Sequence, residues 1–441
     1  MNLIALLVLS GILPLPIYSF PPVYFNGSIA GTVATTGDPL PQLLYVSPDG
    51  NDRNDGTSRV TALQHVQTAI DRVADSGLIV LTEGVYSESL TLDHPVRITG
   101  EAGVILDGNA DFRVITNMSD GSALSNLTIR RGTSFDGAGI YNTGSLRLTN
   151  VTVRDCRAII LLFDTHGAGI YNNGTLEMVN CTVAGNRSEP FGTVVGGNQK
   201  GLGGGIYQAA GELSLSFTTV AGNVAAVHST AGNGVPAGGG LYVAGGTASL
   251  WHTIIAGNRT EIASTGEGPL DGPDCYGAIS HEGFNLVSNS TDCGIIGVGD
   301  GLQVEVDPVF DPAGLQDNGG IVPTVALMPG SPAIDAGDPV CVLSTDARGF
   351  VRPMDGNVDE DFICDIGAFE FASTYPGDVD GDGYLTLHDY SGIAECMTGP
   401  GVPAVPFTCA PVDVIVADIV QDSVIDLKDV YRFEQFRSLQ N

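Results

Sequence analysis

Between Gly137 and Asn258 apolar and polar positions alternate in short runs, with Leu146, Leu148, Val151 and Val153 in one and Leu213 and Leu215 in another. A period of two predicts strands, because successive strand side chains point to opposite faces, and it excludes amphipathic helices here. Each run follows one phrase that occurs four times: GAGIYNTG from Gly137, GAGIYNNG from Gly167, GGGIYQAAG from Gly203 and GGGLYVAGG from Gly238. Glycine before each strand and Ala-Gly-Asn behind it supply the positive-φ corners of sharp turns. The positions Ile140, Ile170, Ile206 and Leu241 are spaced by 30, 36 and 35 residues, so the unit is constant and its loops vary.

A strand bounded by corners and repeated at this length stacks on its own copy, which predicts an all-β fold: a right-handed parallel β-helix over 43–310. Ile140, Ile170, Ile206 and Leu241 then form one inward ladder, and Val153, Val183, Val220 and Ile255 another. Tyr141, Tyr171, Tyr207 and Tyr242 form a third. Asn186, Asn223 and Asn258 form a corner ladder that exchanges amide hydrogen bonds between coils. Insertions at 157–166, 187–202 and 224–237 leave from one side and build a wall, the usual place for a ligand on a solenoid.

Two features frame this stack. Residues 1–19, within MNLIALLVLSGILPLPIYSF, read as a secretory signal peptide too short to span a membrane, and no later stretch is apolar and long enough to anchor the mature chain. A helix is expected over 61–74, where Leu63, Val66, Ile70 and Val73 give it an apolar face that covers the open first coil.

The chain carries 18 basic and 50 acidic residues, a formal charge of -32, and its only lysines are Lys200 and Lys428. That balance repels phosphate backbones and anionic lipid surfaces, so nucleic acid is excluded as a partner. Six of the eight cysteines fall as close pairs, Cys275 with Cys293, Cys341 with Cys364 and Cys396 with Cys409, which predicts disulfides in an oxidising compartment. Cys156 and Cys181 do not align in the repeat register and are expected to stay unpaired.

The opening from Leu43, LLYVSPDGNDRNDGTS, resembles that of secreted pectate-lyase-like β-helix proteins. Beyond Asn258 the chain carries DNGG, LMPGSPAIDAGD, DARGFVRP and CDIGAFE in order. This ending is similar to the choice-of-anchor family of bacterial secreted β-helix proteins. The resemblance covers 45–371, with 311–371 as the C-terminal cap, and implies a secreted or cell-surface protein with an interchangeable attachment module.

After a linker, GDVDGDGYLTLHD places Asp378, Asp380 and Asp382 at positions 1, 3 and 5 of a calcium loop, Gly383 at 6, Thr386 at 9 and Asp389 at 12. Alternating carboxylates converge on one cation, the glycine makes the sharp turn, and Tyr384 at 7 contributes its carbonyl. A second copy offers Asp418, Asp422, Asp426 and Asp429, but Val420 replaces the third-position ligand and Ser423 the glycine, so weaker binding is expected. Two such loops, each followed by a short helix, make 377–441 resemble a type I dockerin. This implies calcium as cofactor and a cohesin-like or cell-surface partner. The family's hydroxyl pair at positions 10 and 11 is here Leu387 and His388, then Leu427 and Lys428.

The chemistry of the stack itself is less patterned. Polygalacturonase-type NTD, DD, GHG and RIK motifs are absent. Lyase chemistry needs a base and a cation beside a uronate carboxyl, and the candidates are Asp164 and His166 with Arg154, Asp155 and Arg157 near one corner, and Lys200 in the next insertion. The leading expectation is a carbohydrate-associated β-helix protein, with a polysaccharide or cell-surface glycan as partner, tethered through its calcium module. A lyase or hydrolase acting on uronate-containing polysaccharides and a non-catalytic adhesive rod are the alternatives.

Overall fold

The computed structural model describes residues 42–372, apart from 192–198, 228–234, 263–271, 298 and 358–360. The expected signal peptide, both calcium loops and the Cys396–Cys409 pair lie outside the described residues. Within them each repeat contributes a short strand, a long strand that is split in two from the second repeat on, and a corner strand. Ile140–Asn142 is followed by the long strand Ser145–Arg154 and the short corner strand Arg157–Ala158. All three pair in parallel with their counterparts one coil on. The chain therefore forms a parallel β-helix, with neighbouring coils separated by about 4.8 Å.

The register is the one that the repeats predict. Ile140 pairs with Ile170, Ile170 with Ile206 and Ile206 with Leu241, and all four are fully buried. Val153, Val183, Val220 and Ile255 form the second ladder. Burying such a side chain stabilises by roughly 1.5–3 kcal/mol, and a one-residue slip would turn the set outward. The corner glycines adopt the left-handed conformation: Gly203 has φ 61°, and a Cβ there would stand 2.4 Å from the Ile206 carbonyl oxygen.

Two polar ladders lie inside the stack. Asn186 donates through Nδ2 to Oδ1 of Asn223 at 2.9 Å, Asn223 to Asn258 at 2.9 Å, and Asn258 to Asp274 at 2.9 Å. A second ladder, which the sequence reading missed, runs from Asn117 through Asn142 and Asn172 to Gln208 with bonds of 2.7, 2.7 and 2.6 Å. Both satisfy buried backbone groups at corners where the strand ladder stops.

At the first coil the helix is shorter than expected, spanning Val66–Ile70. Leu63, assigned above to its apolar face, is instead extended. Its N–H donates to the Tyr45 carbonyl at 2.9 Å and its carbonyl accepts from the Ser47 N–H at 2.9 Å. The edge of the first strand is thus closed by backbone pairing, and the short helix buries Val66, Ala69 and Ile70 beside it.

Residues 311–371, expected as the cap, run along the flank of the long strands. Their antiparallel pair, Phe310–Gln316 with Thr324–Leu327, brings Val325 against Ala184 and Ala221. Ala326, Leu327, Ile366 and Phe369 pack with Ile254, Ala256 and Leu286. Gly367 lies so close that a Cβ would stand 2.8 Å from Ile254 Cδ1 and 2.9 Å from Thr219 Oγ1. Disulfides join Cys275 to Cys293 and Cys341 to Cys364, while Cys156 and Cys181 are free and buried.

Candidate functional site

The motif residues of the C-terminal segment turn out to be its own interior. Asp346 accepts from Nε of Arg348 at 2.7 Å, and the Arg348 guanidinium lies 3.8 Å from the Phe369 ring centroid. Arg352 pairs with Glu370 at 2.8 Å and covers the face of Phe217, which belongs to the rod. Burial pushes Glu370 up to about 7 and holds Asp365 well above the usual carboxylate range, the neighbouring Glu370 adding to the effect. Beneath this network the bend column of the long strands changes character. Asn126, Asn150 and Asn180 hold left-handed bends, and Phe217, His252 and Phe284 take over the role. The His252 ring stacks on Phe217 at 4.3 Å. This flank is therefore occupied by the chain itself.

The insertion side carries the aromatic ladder. The four expected tyrosines stack with Tyr276 as a fifth member, at centroid distances of 4.9, 5.5, 5.2 and 4.8 Å. The guanidinium of Arg113 covers the outer face of Tyr141 at 4.6 Å. Ring faces within the stack are consumed by one another, so a ligand meets tyrosine edges, not a stacking platform. Burial pushes Tyr207 up to about 12, which leaves its phenol a hydrogen-bond donor at neutral pH.

His166 belongs to this edge. Its Nδ1 lies 2.6 Å from Oδ1 of Asp136, and its ring centroid lies 4.7 Å from that of Tyr207. Asp136 was not among the sequence candidates, although it pairs in register with His166 one repeat earlier. The 30-residue spacing was the available signal. Asp164 accepts the Lys200 backbone N–H at 2.8 Å, which joins the two insertions. Arg154 departs from the expected constellation: it ends a long strand and pairs with Asp155 at 2.9 Å, whereas His166 pairs with Asp136. Register explains the split, because Arg154 aligns with Arg130 and Ala184 and His166 with Asp136 and Leu202.

The turns ahead of the repeat strands carry three exposed aromatic rings. Phe135 is 51 %, Phe163 68 % and Phe191 43 % exposed. Phe163 ends the run Ile159–Phe163, five consecutive apolar residues in an insertion. Leu161 forms a bridge with Phe191 of the next coil. Among the described residues no three His, Cys, Asp or Glu side chains gather as a metal site, and no helix is long and apolar enough to cross a membrane. Burial pushes Cys156 and Cys181 up to about 12, which makes them inert as nucleophiles.

These features define a parallel β-helix protein with one flank covered by its own C-terminal segment and another edge of tyrosine, histidine and phenylalanine. Among solved structures the chain is similar to pectate lyase Pel9A, with 13% identity and a TM-score of 0.41, over 75% of this chain and 96% of that one. It is also similar to pectin methylesterase PemA from Erwinia chrysanthemi, with 15% identity and a TM-score of 0.27, over 58% of this chain and 80% of that one. No family model and no curated protein matches the chain.

Proposed function

We propose that this is a secreted or cell-surface, carbohydrate-associated β-helix protein of the choice-of-anchor type, tethered through a dockerin-like calcium module at 377–441. The observation that carries the carbohydrate reading is the contrast between the two sides of the rod. The flank of the long strands is covered by residues 310–371, while the insertion side presents exposed rings next to polar edges, the combination that sugar rings require. The test incubates the purified chain with a panel of polysaccharides and measures retention of each. Absence of retention by every glycan would remove the reading.

One observation favours a second, catalytic reading. With Nδ1 of His166 donating to Asp136, the neutral imidazole leaves Nε2 as an acceptor, the arrangement of an oriented general base. Absorbance from unsaturated products and release of reducing ends from acidic polysaccharides would establish it. A fully inactive preparation that still binds glycan leaves the tethered binding protein as the function.

A further inference from the structure

We propose that the last turn of the rod is closed by this chain's own tail, with residues 412–415 added as a further parallel strand on the edge of Cys293–Ile296. The two ends of the stack differ. At the first coil Leu63 exchanges backbone bonds with Tyr45 and Ser47, and the helix Val66–Ile70 covers the core beside it. At the other end, among the described residues, Cys293–Ile296 pairs only with Cys275–Gly283 and Gln303–Val304 only with Leu286–Val287. The core is open there as well. Ile279 and Val287 are fully buried, yet their partners one turn on are not: Ile295 is partly buried and Val304 is 39 % exposed. Ile296 is 63 % exposed, and none of the described residues from 291 to 307 is buried. An unpaired edge that carries apolar side chains is a template for another strand.

Position and charge select the occupant. Phe371 packs on the same cluster as Leu286, Val306 and Phe310, so the chain leaves the described residues beside this turn. A tether keeps a strand within it at an effective concentration on the order of millimolar. The run Val412-Asp413-Val414-Ile415-Val416 is β-branched apart from Asp413, and it lies between Pro411 and the second calcium loop, outside both loops and their helices. Laid in parallel, Val412 meets Cys293, Asp413 meets Gly294, Val414 meets Ile295 and Ile415 meets Ile296. That register turns Val412 and Val414 to the core, covers Ile296 with Ile415 and leaves Asp413 outward. A second copy fits less well. Asp292, Asp300, Glu305 and Asp307 are exposed here and no basic residue lies between 291 and 309, so two such ends repel each other. The opposite end of a second rod is already closed by Leu63.

Hydrogen exchange of the full chain, read by mass spectrometry, tests the pairing with Ile296→Asp and Val414→Asp as variants. In the unmodified chain, amides of 293–296 and of 412–415 should both exchange at least about tenfold more slowly than those of an open edge. Each variant should release both segments, while 275–283 stays protected. Fast exchange of 293–296 in the unmodified chain would overturn the pairing. So would protection that both variants retain, or release confined to the segment that carries the substitution. With oxidised glutathione, the double variant Ile296→Cys, Ile415→Cys should form a disulfide within one chain, read on a non-reducing peptide map. A disulfide between chains would assign the edge to a second copy instead, and no disulfide would overturn the register.

Discussion

The backbone N–H of Asp338 donates to Nε2 of His252 at 2.7 Å, and the Gly367 N–H donates to the His252 carbonyl at 2.9 Å. One residue of the rod thus accepts from two points of the segment that covers its flank, 29 residues apart in the chain. The first bond requires a neutral imidazole. Burial, with the Arg352 charge adding to it, lowers His252 to about 3.

The attachment of this segment should therefore depend on pH from two directions. His252, depressed in the folded state, contributes stability that is present above its unfolded value of 6.5 and is lost as pH falls towards 3. Glu370, raised to about 7, contributes stability that is present below its unfolded value of 4.5 and is lost as pH rises through 7. The His252 slope opposes that of Glu370 between 4.5 and 6.5, where Asp365, also raised by burial, adds to the decline, so His252 makes the fall in melting temperature with rising pH shallower. His252→Leu should lower stability by about 1–3 kcal/mol through the orphaned Asp338 N–H and steepen that decline. An unchanged slope in this variant refutes the assignment.

The two kinds of ladder should fail differently. Asn223→Leu removes an acceptor used by both the N–H and Nδ2 of Asn186, and donors to Val183 and Asn258. With each stranded group costing about 1–3 kcal/mol, a loss of ~3 kcal/mol or more is expected by denaturant unfolding. Ile206→Asp places an unpaired charge in the apolar ladder and should cost more than about 4 kcal/mol, enough to leave the chain unfolded by circular dichroism.

Thiol labelling distinguishes the cysteines. Under native conditions Cys156 and Cys181 should stay unmodified, since both are fully buried with thiols pushed up to about 12. After denaturation without reductant these two should react, while Cys275, Cys293, Cys341 and Cys364 stay protected as two disulfides.

For the tail the expected outcome is one tight calcium site. The loop at Asp378 offers every side-chain ligand and its glycine, whereas the loop at Asp418 lacks both the third-position ligand and the glycine. Each missing carboxylate removes an oxygen and a charge that offset dehydration of the ion. Calorimetry on the full chain should show a single tight event, abolished by Asp382→Ala. Two equal events would mean that Val420 and Ser423 are tolerated, and no binding would remove the dockerin-like reading.

The sequence by itself determined the coil. Repeats spaced by 30, 36 and 35 residues carry the same apolar pattern, and stacking identical coils is local enough that Ile140, Tyr141 and Asn186 announce their neighbours. Even Asp136 was legible as the residue one repeat before His166. What only the tertiary structure decided lies where partners are far apart and obey no period. Thr219 meets Ala368 across 149 residues, and Thr152 meets Pro323 across 171. The same holds for the split between Arg154 and His166. They are close in sequence, yet a corner intervenes, and a corner in this fold sends neighbouring residues to different faces. Nor does the sequence show that the Arg352–Glu370 pair is buried, because charge in a sequence carries no sign of burial. Desolvation becomes visible only when the segment is laid against the rod.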